Sequence, residues 1–195
     1  ELFDTLGRHS TFVYRLIFAN LGIFRGALDK ICKKSGGELN ALMRTTVAFT
    51  QMSGSKGMNV LPPYAEMVAN LRIMCGESVE SCVEYLRKTV ADDDVKTEVV
   101  YGMDPSNISQ TQGKAWEMMK RAVSQTWNDA LVAPYLMLAC SDSRHYGEIS
   151  DHVYRFSAMA LSKEERASIH GNDERIPVEK IVQTVHFYLR LISQF

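Results

Sequence analysis

The sequence predicts an α/β protein in two parts: an α+β layer with an antiparallel component, followed by part of a larger α/β domain. Three observations carry that expectation. Residues 64–73, YAEMVANLRI, put Ala65, Met67, Ala69, Leu71 and Ile73 on one face and Tyr64, Glu66, Asn70 and Arg72 on the other, the period of a half-buried strand. Residues 79–90 set Val79, Cys82, Val83, Leu86 and Val90 at helical spacing behind Ser78, whose hydroxyl suits a helix start. Residues 131–140, LVAPYLMLAC, form an almost unbroken apolar run between helical patterns, as in a strand covered on both faces.

The remaining elements come in chain order. Residues 11–33 are apolar on nearly every turn, and Asn20 and Gly22 divide them into two short helices or one kinked helix that ends at Gly36-Gly37. RTTVAFTQM (44–52) is β-branched and aromatic, a strand, and SGSKG (53–57) supplies turn residues before the strand at 64–73. After the Ser78 helix, VKTEVVY (95–101) reads as a further strand. GMDPSNISQTQG (102–113) is a polar loop with Pro105, and it separates an expected first domain, residues 1–112, from a second segment, residues 113–195. That segment holds the helix KAWEMMKRAVSQTW, the apolar strand, a long loop, a short helix from Ser162 and a final helix opened by Pro177.

Composition narrows the function. With 46% hydrophobic and 23% charged residues in 195, the chain has the makeup of a globular protein. A formal charge of −1 gives no basic field for nucleic acid and no polybasic tract for a membrane surface. No apolar run reaches the roughly 20 residues of a bilayer span. Cys32, Cys75, Cys82 and Cys140 show no metal-ligand spacing, and as thiols buried in apolar runs they favour a reducing, cytoplasmic compartment. The chain opens on Glu1 in what reads as the middle of a domain, so a piece of a longer polypeptide is expected.

Several residues can carry chemistry. His170 precedes Gly171 in the loop between the Ser162 and Pro177 helices; an imidazole there can ligate zinc, and a glycine lets backbone approach an anion. A solvated or helix-capping histidine is the competing reading, because no HExxH, no HxD and no second histidine at ligand spacing accompany it. Ser162 with Glu165 fits a capping box, which accounts for Glu165 without catalysis. Asp92, Asp93 and Asp94 read as a solvated turn. SDSRHY (141–146) comes directly after the apolar run, where open α/β sheets place ligand loops, and Arg144 has the planar fork that clamps a carboxylate. On the residues alone, a surface salt bridge is the favoured reading of Arg144. Asn59 in its turn and Arg72 on its strand are each compatible with a purely structural role.

The pieces KGMNVLPPYAEMVANLRIMCG, APYLMLACSDSRHY, VYRF and IHGNDERIPVEKI, in this order, resemble the zinc metallopeptidases of the aminoacylase, carboxypeptidase-S and succinyl-diaminopimelate desuccinylase group, closest to the carboxypeptidase-S-like branch. The resemblance covers residues 42 to 195. It implies a phosphatase/aminopeptidase-like α/β catalytic domain with two zinc ions and an inserted lid with a four-stranded sheet that forms homodimers. It implies His170 as the last zinc ligand, Gly171 beside the substrate carboxylate, Ser141, Asp142 and Arg144 in a substrate-orienting loop, and Asn59 and Arg72 as lid contacts to that carboxylate. The substrates implied are small peptides and N-acyl amino acids, cleaved at an amide bond. The other metal ligands of the family (an HxD pair, a bridging aspartate, a Glu-Glu pair and a further acidic ligand) have no counterpart in these residues, so this chain is expected to be inactive alone. A non-catalytic dimerisation or interaction module is the alternative.

Overall fold

The computed structural model describes residues 1–195 and is α+β: eight α-helices, a 3-10 helix and one two-stranded antiparallel sheet. Its contacts divide into two units. The first comprises Glu1–Asn20, Ser109–Tyr135 and His145–Phe195; the second comprises Leu21–Ile108 and Leu136–Arg144.

In the first unit, α1 (Leu2–Arg8) meets α2 (Phe12–Ala19) through stacked Phe3 and Phe18 rings 5.3 Å apart. Gly7 eases the approach, since a Cβ there would sit 3.0 Å from the Phe18 Cβ and push it back. The core lies between α6 (Gly113–Thr126) and α8 (Val178–Ile192). Met119, Ala122 and Val123 are spaced three and four apart on α6, so they share the face that meets Phe187 of α8 and Ala158. Phe187 is 1% exposed, with the rings of Phe156 and Trp127 at 5.1 and 5.7 Å. Polar side chains tie the rim: Thr184 Oγ1 donates to the Ala158 carbonyl at 2.6 Å and Arg190 Nη1 to Thr126 Oγ1 at 2.9 Å.

The second unit starts with α3 (Leu21–Ser35) and the short α4 (Gly37–Ala41). Arg44, just beyond them, pairs back with Asp29 and Asn40 and so ties both helices to the start of the sheet. Strands β1 (Thr46–Ser53) and β2 (Glu66–Arg72) pair with Thr46 opposite Arg72 and Ser53 opposite Glu66. The register shifts between Phe49 and Gln51, leaving Thr50 as the extra residue of a bulge. Helix α5 (Val79–Val90) begins with a reciprocal capping box of Ser78 and Ser81 and ends at Ala91, which takes the left-handed φ of 51° common past helix ends.

Four expectations change. Residues 95–101 form no strand; the Val95 N–H reaches the Asp92 carbonyl at 3.2 Å and Arg87 Nη2 the Thr97 carbonyl at 3.3 Å, turn and side-chain bonds in place of a ladder. Residues 131–140 form no strand and are half-buried to exposed, because an apolar run becomes a central strand only when neighbours supply its ladder, and the two strands of the sheet here ladder only with each other. The sheet has two strands where the resemblance implies four for a lid, and β1 is exposed along nearly its whole length. Of the four free thiols, Cys32 and Cys82 are buried, Cys75 is half-buried and Cys140 is exposed, so an apolar neighbourhood in sequence predicted burial for only half of them. No helix is long and apolar enough to cross a membrane.

Candidate functional site

Four elements present the residues singled out from sequence. The β1–β2 connection carries Asn59 at its outer turn, where the Val60 N–H reaches the Gly57 carbonyl at 3.4 Å and the Asn59 amide has no partner. Arg72 closes β2, and its Nη1 donates to the Leu138 carbonyl at 2.8 Å. Ser141 and Asp142 open the 3-10 helix Asp142–Glu148, with the Ser141 carbonyl accepting from the Arg144 N–H at 3.1 Å and its hydroxyl from the Ser143 N–H at 3.3 Å. Arg144 extends Nη2 to the Asp104 carbonyl at 2.7 Å and Nη1 toward Cys140 Sγ at 3.6 Å. Asp104 in turn accepts from the Val79 N–H at the start of α5, at 2.8 Å.

Within the second unit, therefore, Arg72 holds main chain inside the 136–144 segment, and Arg144 anchors the end of that segment to Asp104. Each guanidinium carries five donors, and one or two contacts leave the rest of the fork available. Asn59 belongs to the same unit but touches neither arginine. The geometry shows Arg72 and Arg144 as clamps on a segment with no ladder of its own, a structural duty that the sequence allowed and did not single out.

His170 and Gly171 lie in the first unit, between α7 (Lys163–Ala167) and α8. The base of this loop is fixed by Glu165, which closes the Ser162 capping box at 2.6 Å and also pairs with Lys180 of α8. The Lys180 ammonium, followed by the Ser162 N–H, holds the Glu165 carboxyl below the ordinary carboxylate range. His170 takes φ 64°, a conformation that costs an L-residue roughly 1–2 kcal/mol and that histidine visits more readily than most. Its N–H donates to the Glu174 carboxylate at 3.1 Å, while the imidazole is exposed with both ring nitrogens unpartnered. The Gly171 N–H closes the turn on the Ser168 carbonyl at 2.8 Å, and a Cβ at Gly171 would lie 3.0 Å from that same oxygen. A side chain here would press on that carbonyl oxygen.

Nowhere do three histidine, cysteine or acidic side chains gather as metal ligands do. A free imidazole has the donor chemistry of one corner of a zinc site, whereas a catalytic zinc takes about three protein ligands. These residues do not by themselves hold the ion. Sequence reasoning missed Glu174, Lys180 and Asp104. The acidic and basic cluster behind His170 held the signal for the first two, but pairing across 15 residues, as between Glu165 and Lys180, follows from no local spacing.

Residues 18–98 match the family model of the peptidase dimerisation domain, M20_dimer. The chain is similar to a probable carboxypeptidase S-like protein of Dictyostelium discoideum, 32% identical over 98% of this chain and 37% of that protein. It is also similar to an N-fatty-acyl-amino acid synthase/hydrolase of Xenopus tropicalis, 32% identical over 99% of this chain and 38% of that protein. A putative carboxypeptidase of Saccharomyces cerevisiae is 24% identical over 80% of this chain and 32% of that protein. The chain thus spans little more than a third of the length of these curated relatives. No solved structure matches it.

Proposed function

We propose, from the premise that this chain belongs to the M20 peptidase family, that it is part of a zinc-dependent hydrolase cleaving amide bonds in small substrates with a free carboxylate. The observation that carries the reading is the near-complete alignment of this chain to relatives of two kinds, carboxypeptidase-like and N-acyl-amino acid hydrolase. The two activities share one chemical feature: the scissile amide nitrogen belongs to an amino acid that keeps its carboxylate. Dipeptides, peptide C-termini and N-acyl amino acids all fit that description.

Each residue then has a role. Arg72 and Arg144 offer the donors that their main-chain bonds leave unused, and a guanidinium takes a carboxylate with two parallel hydrogen bonds. Asn59, with Ser141 and Asp142, adds polar contacts, and Gly171 is the backbone that borders the substrate carboxylate in this reading. These are orienting roles, and orientation lowers the barrier by fixing the attack geometry in advance. His170 would give one imidazole to the metal, two zinc ions making the complete centre. Bound zinc supplies a water acidified to a pKa of about 7 and polarises the carbonyl. Because one ligand does not make a cage, the residues of this chain alone are inactive in this reading. The match over 18–98 supports a homodimer, and the four free thiols support a cytoplasmic setting.

A hydrolysis screen on the full-length protein, with zinc added back after chelation, tests the proposal. Activity on N-acyl amino acids or dipeptides is expected to return with zinc. Arg144→Lys is expected to raise KM at nearly constant kcat, since the fork is lost and the charge is kept. A non-catalytic dimerisation module is the second reading, favoured by the dimerisation-domain match over residues 18–98. A stable dimer with no zinc-restored hydrolysis would select it.

A further inference from the structure

We propose that Glu174 is a positioning residue, whose carboxylate holds the His170 N–H and so keeps His170 in the left-handed turn that leaves its imidazole free. The inference rests on the reading of His170 as a functional residue.

Three features of the loop point the same way. His170 is one of only two non-glycine residues in the chain with a positive φ; the other, Ala91, is fixed by the end of a helix, with its N–H on the Arg87 carbonyl at 2.9 Å. Such conformations persist where surrounding bonds over-determine them. At His170 the over-determination is local: its own N–H is bonded forward to Glu174 at 3.1 Å, and the next N–H, that of Gly171, is bonded back to Ser168 at 2.8 Å. The amides of Asn172 and Asp173, between the donor and its acceptor, bond to nothing, so the Glu174 contact is what closes this stretch. A carboxylate is also the strongest acceptor the chain can offer a main-chain N–H. The Glu165–Lys180 pair fixes both ends of the loop on α7 and α8, which leaves the turn itself as the segment that Glu174 decides.

The test compares Glu174→Ala with Glu174→Gln, which keeps an acceptor oxygen and removes the charge. In the 195-residue chain, a positive φ at His170 gives an intense NOE between its own amide and α protons. That NOE is expected in the wild type and in E174Q, and to be several-fold weaker in E174A, with the amide pattern of α8 unchanged in all three. An undiminished NOE in E174A overturns the proposal, and so does an equal loss in both variants. A measurement without substitution stands beside it: the His170 amide is expected to exchange with deuterium more slowly than those of Asn172 and Asp173, and equal rates overturn the proposal. Zinc separates this inference from the reading beneath it. In the full-length protein, Zn²⁺ affinity should fall by about 10–100-fold in E174A, as for other residues that orient a ligand, and recover in E174Q. Loss of the NOE with Zn²⁺ affinity kept upholds the turn and removes His170 from the metal site.

Discussion

The two units reach order by different means. The first closes around Phe187, with Met119, Ala122, Val123 and Ala158 buried against it and Trp127, Val132, Tyr154 and Leu191 covering the edges. The second buries only the side chains of Cys32 and Cys82. Its strands expose Val47, Phe49, Met52 and Met67. What fixes it is polar: Arg44 on Asp29 and Asn40, Thr45 on Glu77, the Ser78 cap, Asp104 on Val79, and the two arginine clamps. The lesson concerns strength and specificity. Apolar burial is non-directional and large, about 25 cal/mol per Å², whereas an exposed hydrogen bond or ion pair adds little stability and mainly selects geometry.

Substitutions can break that contrast or sharpen it. The largest effect is expected at the first core: Phe187→Ala should destabilise the first unit by about 3–5 kcal/mol in denaturant unfolding, while Phe49→Ala on the open face of β1 should stay within about 0.5 kcal/mol. Comparable losses at the two positions would show that the sheet is held by burial after all. Next, Ser78→Ala removes the acceptor for the Ser81 N–H and should cost about 1 kcal/mol, read as lost helicity of α5 by hydrogen exchange. No loss would mean that the cap is redundant with the Asp104 bond to Val79.

The smallest effect is expected in acid. Asp29 is held below its ordinary pKa of 3.8, first by its hydrogen bond from Lys33 and then by the charge of Arg44; Glu165 is held below its ordinary 4.5 by Lys180. A depressed folded-state pKa contributes stability that is present above the unfolded value and lost as the pH falls through the folded one. The first unit should therefore weaken below about pH 4.5 and the second below about pH 3.8, the second more steeply because it has little buried surface in reserve. Lys180→Met should flatten the acid response of the α7–α8 loop and leave that of the second unit unchanged. A flat profile for wild type between about pH 5 and 2 would show these pairs to be idle.

Much of the fold was legible because some signals are local. The Ser78 start, the Ser162–Glu165 box, the two helices within 11–33, the α6 periodicity and the β1–β2 hairpin each depend on residues within a few positions of one another, and each formed. The helices α1 and α4 went unread because each is a short run with no side-chain cap to announce it. Residues 95–101 and 131–140 had the composition of strands and lacked neighbours. At the candidate site, the sequence marked His170 and Gly171 but not the carboxylate that bonds to the His170 amide, and marked Arg72 and Arg144 but not the carbonyls they hold.

By itself, then, the sequence determined most of the segments that turn helical and where their caps and turns fall. Propensity, periodicity and capping are short-range, and so they can be read along the chain. Only the tertiary structure decided that Phe187 would be the centre of a core, that an apolar run would lie without a ladder, and that Glu165 would meet Lys180 across a loop. Those outcomes depend on partners distant in sequence, and a strand or a buried ring is stable only where such partners arrive to satisfy it.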